Sequence, residues 1–248
     1  MPALLAPSPV ILQDIPLRID PAEVRAFQGY KPALAASPSD LEARLGTARA
    51  EIAAVVRPRL VSSTLAVLGG GPDALTLVDG ARFHIPDIGR CWGRVEAVVA
   101  AVATVGGEPE ALVDARRGAG LALDAALLDS AASAAAECLA EWANDYLCRL
   151  GVVAGLRVTN RISPGLERWT LDEQATVFRL SRAGEIGVAL RSDGEMTPAK
   201  SISFLVGVGR TARVDHYFVQ CRRCWAEGCA ERRMAPVASI HREGGLAR

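Results

Sequence analysis

The longest regular pattern in the chain is "DAALLDSAASAAAECLAEWANDYLCRL", where Leu128, Ala131, Ala135, Cys138, Trp142, Tyr146 and Leu150 recur at three-to-four spacing. That period predicts a long amphipathic helix with one buried face. Its middle is nearly all small residues, which lets another backbone or a flat ligand come close. Beside the stripe, Ala134, Glu137, Glu141 and Asp145 form an acidic edge. Glu141 and Asp145 read as a solvated face, whereas Glu137, next to Cys138 in the alanine-rich part, stays open between a solvated and a ligand-facing role.

Other segments carry shorter patterns. "LRIDPAEVRAFQGYKP" predicts a short strand, a helix opened by Asp20-Pro21 and a stop at Gly29. In "SPSDLEARLGTARAEIAAVVRP", Ser39 and Glu42 have capping-box spacing and Pro58 closes a second helix. "RLVSSTLAVLGGGPDALTLVDGARFHIP" predicts an antiparallel meander, broken at Gly69-Gly70-Gly71-Pro72 and at Asp79-Gly80. The glycine run lacks the lysine and Ser/Thr of a phosphate loop and reads as a plain turn. From "DIGRCWGRVEAVVAAVATVG" onward the chain reads as helical.

Beyond the long helix, Thr170 and Glu173 repeat the capping-box spacing before a helix with Leu171, Ala175 and Phe178 on its apolar face and Gly184 at its end. "IGVAL" and "SISFLVGVG" read as strands on either side of the loop "RSDGEMTPAK". The second strand has Ile202, Phe204, Val206 and Val208 on one side and "DHYFVQC" as its antiparallel neighbour. The expectation is an α+β fold: one compact domain over residues 1–220, with a mostly antiparallel sheet and long helices, then a cysteine-bearing tail over 221–248.

Composition narrows the function classes. Lys plus Arg and Asp plus Glu are 28 each among 248 residues, so no net field recruits nucleic acid or anionic lipid. No apolar run approaches the roughly 20 residues of a membrane helix. The start is broken by Pro2, Pro7 and Pro9 and lacks a basic lead, which argues against a secretory signal and for a cytoplasmic protein.

Two places carry chemistry. In "RISPGLERW", Arg161 stands just before a Ser163-Pro164-Gly165 turn, where its planar fork can grip a carboxylate through two charge-assisted hydrogen bonds or pair with an acid of the chain itself. In "CRRCWAEGCAERR", Cys221, Cys224 and Cys229 are spaced to ligate one metal. Three thiolates leave an iron-sulfur cluster or zinc one ligand short, so Cys91, Cys138, Cys148 or a partner would complete the set. Reduced thiols or a structural zinc knuckle are the alternatives to a redox cluster.

"RISPGLERWTLDEQATVFRL", followed by "IGVALRSDGEMTPAKSISFLVGVG", resembles the activation domain of vitamin B12-dependent methionine synthase. The long helix resembles that family's Ala/Glu-rich helix. "IDPAEVRAFQGY" and "IPDIGRCWGRVEAVVAAVATVG" resemble its stand-alone members. The resemblance implies reductive reactivation of a corrinoid methyltransferase. S-adenosylmethionine would be presented to cobalt of a cobalamin carried by a partner, and a donor such as a flavodoxin or ferredoxin would supply one electron.

Carried over by position, Arg161 would hold the ligand carboxylate and Ser163, Pro164 and Gly165 would shape the pocket wall. Glu137, Lys200, Ser201 and Ser203 would complete the ligand site. Arg161→Ala is then expected to weaken binding far more than stability. Where the family commonly has tyrosine this chain has Leu166, and where it can carry a ligand-facing acid one turn before Glu137 the chain has Ser133. A non-catalytic module that docks on a corrinoid methyltransferase is the second reading. A metal or electron carrier built on the cysteine tail is the third.

Overall fold

The computed structural model describes residues 9–29, 38–166 and 169–214. In chain order these form β1 (Val10–Gln13), α1 (Pro21–Gly29), α2 (Pro38–Val55), β2 (Arg59–Gly70), β3 (Ala74–Leu77) and β4 (Arg82–His84). Then come α3 (Ile88–Trp92), β5 (Gly93–Arg94), β6 (Ala97–Thr104), α4 (Glu108–Gly118), α5 (Ala122–Val153) and β7 (Arg157–Val158). A 3-10 turn at Leu171–Glu173 leads into α6 (Gln174–Ser181), and another covers Ala183–Ile186. β8 (Ala189–Leu190), β9 (Met196–Thr197), β10 (Ser201–Gly209) and β11 (Thr211–Ala212) follow.

The main sheet runs β4-β3-β2-β6-β10-β7, with β1 added along the first part of β2. Its strand pairings are antiparallel, so the expected α+β class with a mostly antiparallel sheet holds.

β6 forms the middle of this sheet. Its Ala97, Val99, Ala101 and Ala103 join Phe204, Val206 and Val208 of β10 in the core under α5. Val98 and Ala100 face the opposite layer, with Val177 and Leu180 of α6. On α5, Ala131, Ala132, Ala134 and Ala135 are fully buried, and alanine against alanine lets the helix lie close to the sheet. α1, α2 and α4 then pack against α5. Each larger core residue, such as Ile52, Leu139 or Phe204, contributes about 1.5–3 kcal/mol by leaving water.

Several expectations need correction. "VEAVVAAVATVG" is not helical: β6 is buried along its whole length, and a strand covered on both faces loses the alternation that marks strands. The N-terminal strand is Val10–Gln13, ahead of the Leu17–Asp20 stretch. The buried face of α5 follows Leu128, Ala131 and Ala135 as expected. It continues through Leu139, Ala143 and Leu147, while Cys138, Trp142, Tyr146 and Leu150 are only half-buried. α6 is likewise turned: it buries Gln174, Val177, Leu180 and Ser181 and leaves Leu171 exposed. It ends at Ser181, with Arg182 in the left-handed region, ahead of Gly184. Glu42 pairs with Arg25, 3.1 Å away. β10 lies between β6 and β7, and "DHYFVQC" falls outside the described residues.

Candidate functional site

The segment after α5 lies along the open side of β10. Val158 pairs with Val208, and the Thr159 N–H donates to the Gly207 carbonyl at 2.9 Å while the Thr159 hydroxyl accepts from the Gly207 N–H at 2.9 Å. Ile162 bridges Leu205. Asn144 of α5 is buried beneath, accepting from the Arg161 N–H at 2.6 Å and donating to the Thr159 carbonyl at 3.3 Å. The backbone on both sides of Asn160 is therefore held by one amide. The chain then turns at Ser163, Pro164 and Gly165. Gly165 has φ 84°, a region that favours glycine, and its N–H donates to the Trp169 carbonyl at 2.8 Å.

This anchoring sends the Arg161 side chain onto α5. Nη2 donates to the Glu137 carboxylate and, at 2.9 Å, to Glu141. The two acids are one helical turn apart, so a single nitrogen reaches both. Burial works to lower the Arg161 pKa, but the charge of Glu137 and then of Glu141 outweighs it, and the guanidinium is held above even the usual arginine range. Arg161 Nε and the Ser163 hydroxyl are buried with no hydrogen-bond partner among the described residues. Buried donors of this kind are rare enough to call for an explanation.

One to two turns earlier on α5 sits a second cation. Lys200 Nζ lies 2.7 Å from Asp129 and donates to the Ser133 hydroxyl at 2.9 Å, while that hydroxyl donates to the Asp129 carbonyl. The Lys200 N–H donates to Glu110 at 3.0 Å. Asp129, Ser133, Glu137 and Glu141 thus make one stripe of α5, with Lys200 at one end and Arg161 at the other.

The remaining expected residues divide. Ser163 and Pro164 are buried in the turn after Arg161, and Gly165 is exposed. Ser201 and Ser203 lie on β10 but point away from α5. Ser203 donates to Gln174 of α6 at 3.1 Å, and Ser201 donates to the Pro198 carbonyl at 2.7 Å and lies 2.8 Å from the Thr104 hydroxyl. Their alternation with Ile202 and Phe204 requires this, because those two fill the α5 side. Cys221, Cys224 and Cys229 lie outside the described residues, among which no group of three metal-ligating side chains occurs. Cys91, Cys138 and Cys148 form no disulfide among the described residues; burial pushes Cys138 and Cys148 up to about 11.

Glu173 is also more occupied than its spacing suggests. Instead of capping its helix, its carboxylate accepts from the His84 N–H at 2.9 Å and 3.2 Å and from Trp169 Nε1 at 2.6 Å, tying the turn segment to β4.

No protein-family model matches the chain, and no curated protein sequence matches it. Among solved structures, the crystal structure of the MetH reactivation domain bound to AdoHcy matches with a TM-score of 0.59 and 15% identity. The match covers 86% of this chain and 81% of that one. The chain shares that domain's fold. It resembles the reactivation domain in its curled antiparallel sheet and helical cover, at a level where few side chains are common to both.

The sequence pattern put Glu141 beside Glu137 on the acidic edge but as a solvated residue, and it did not single out Asp129 in the stripe or Asn144 beneath the Arg161 backbone. The spacing of Asp129, Glu137 and Glu141 by multiples of four was available in the sequence. No spacing indicates that Arg161 and Lys200 return to that stripe. Among the described residues, no helix is long and apolar enough to cross a membrane.

Proposed function

We propose that the chain binds S-adenosylmethionine and serves the reductive reactivation of a cobalamin-dependent methyltransferase carried on another protein. The observation that carries this reading is the fold match to a reactivation domain that holds AdoHcy. The residues present suit an amino-acid end: Arg161 offers a fixed cation, Glu137 and Glu141 offer acids, and Arg161 Nε and Ser163 Oγ are unspent donors beside them. Ser201 and Ser203 contribute the strand that backs the site, through their backbone. Lys200 fixes the near end of the α5 stripe.

When bound, S-adenosylmethionine supplies the methyl group. An outside donor such as a flavodoxin or ferredoxin reduces the partner's cobalt(II) by one electron, and the cobalt(I) so formed takes the methyl from the sulfonium, releasing S-adenosylhomocysteine. The chain's own part is binding, orientation and exclusion of water. The division into a binding domain over 1–220 and a cysteine-bearing tail over 221–248 belongs to this proposal. So does an iron-sulfur cluster or zinc at Cys221, Cys224 and Cys229.

One observation favours a second reading. Arg161 Nη2 is already engaged by two acids of the chain itself, as it would be in a module that docks on a methyltransferase without binding ligand.

The test mixes the full chain with a corrinoid protein trapped as cobalt(II), a low-potential reductant and S-adenosylmethionine. Faster conversion to methylcobalt, seen in the visible spectrum and stalled when S-adenosylmethionine is omitted, supports reactivation. No effect on any corrinoid protein of the same cell, together with no heat on titration with S-adenosylmethionine, leaves the docking module.

A further inference from the structure

We infer that Glu141 is the exchangeable member of the Arg161 triad: the carboxylate of an amino-acid ligand takes its place on Arg161, and the released Glu141 takes the ligand's ammonium. This rests on the ligand reading above and adds a residue that selects for a zwitterionic end.

The two acids on Arg161 are not equivalent. The Glu137 side chain is 11% exposed and the Arg161 side chain 3%, so separating that pair would pull apart two buried opposite charges. The Glu141 side chain is 48% exposed at 2.9 Å from the same nitrogen. Its carboxylate returns to water on leaving, so this contact breaks at less cost than the buried pair with Glu137. An incoming carboxylate therefore displaces Glu141 and leaves Glu137 in place.

The unpartnered donors point to an anion. Arg161 Nε and Ser163 Oγ, both in residues more than nine-tenths buried, have no hydrogen-bond partner among the described residues. A second carboxylate oxygen beside Nη2 is the group that would satisfy them. Once displaced, Glu141 stays on the same turn of α5, within reach of an ammonium on the carbon next to that carboxylate. The cationic slot one turn before Glu137 is already filled by Lys200 on Ser133 and Asp129, which leaves the Glu141 end for the ligand's ammonium.

The experiment is calorimetric titration of the full chain with two probes. S-adenosylhomocysteine carries the zwitterionic end; 5′-methylthioadenosine has the same nucleoside and thioether without it. Wild type is expected to prefer S-adenosylhomocysteine. Glu141→Gln should lose at least about tenfold in affinity for it, the effect of one charge-assisted hydrogen bond, with 5′-methylthioadenosine unchanged. Circular dichroism of Glu141→Gln should match wild type.

Equal or tighter binding of S-adenosylhomocysteine by Glu141→Gln overturns the exchange while the binding reading stands. Equal affinity of wild type for both probes also overturns it alone, since the amino-acid end is then unread. No binding of either probe by wild type removes the binding reading and the exchange with it.

Discussion

Replacing Arg161 by methionine should destabilise the fold severely, and the structure sets the scale. The side chain is 3% exposed and is the cation against a Glu137 that is 11% exposed, so the variant takes the cation away from a buried carboxylate. Breaking a buried pair by removing one member costs about 3–5 kcal/mol. The Glu141 contact, half in water on the carboxylate side, adds less than that. This revises the expectation that Arg161→Ala spares stability, because the arginine also neutralises the helix it lies on.

Two controls separate charge from packing. Arg161→Met combined with Glu137→Gln should recover much of the loss, since the buried carboxylate charge is removed together with its cation. In the single variant the buried carboxylate has lost the cation that favours its charged form. Its penalty is then full at neutral pH and shrinks as pH falls toward 5. Urea unfolding followed by circular dichroism at pH 7 and pH 5 measures all three quantities. A loss under about 1 kcal/mol for Arg161→Met at pH 7, or the same loss at both pH values, would show that the Arg161–Glu137 pair does not stabilise the fold through its charge.

Other variants probe the surroundings. Gly207→Ala should cost about 1–3 kcal/mol by overpacking, because a Cβ there would sit 2.6 Å from Val95 Cγ1 and 2.7 Å from Trp92 Cε3; an unchanged melting temperature would contradict that placement. Glu173→Ala should cost about 1–3 kcal/mol by leaving the His84 N–H and Trp169 Nε1 without their acceptor, read by thermal unfolding together with Trp169 fluorescence. Cys138 and Cys148, with thiols pushed up to about 11 by burial, should resist iodoacetamide at pH 8 and react increasingly as pH approaches that value, while exposed Cys91 labels before either of them; peptide mapping by mass spectrometry reads the order.

The long helix, the β2-β3-β4 meander and the inward side of β10 were legible because each shows a clear period in its own residues. β6 was not, because Ala97–Thr104 is apolar on both faces and carries no alternation to distinguish a buried strand from a helix. The buried face of α5 drifted by one position past Ala135, since Trp142 and Tyr146 look like core yet stack on each other at 5.4 Å in a half-buried position. Arg161 and the turn after it were visible as a motif. What the arginine meets was not, because Glu137 and Glu141 lie 24 and 20 residues earlier and only the path along β10 brings them together. The direction of Ser201 and Ser203 followed from strand alternation once Ile202 and Phe204 were placed in the core.

On the reading proposed above, an S-adenosyl ligand seats on the stripe of α5 facing the Arg161 turn. Hydrogen–deuterium exchange of the full chain, with and without saturating S-adenosylhomocysteine, tests it most directly. Slowed exchange is expected in residues 159–166 and in the part of β10 beside them, with the far side of the sheet at β3 and β4 unchanged. Protection absent from 159–166, or confined to another part of the chain, would contradict it.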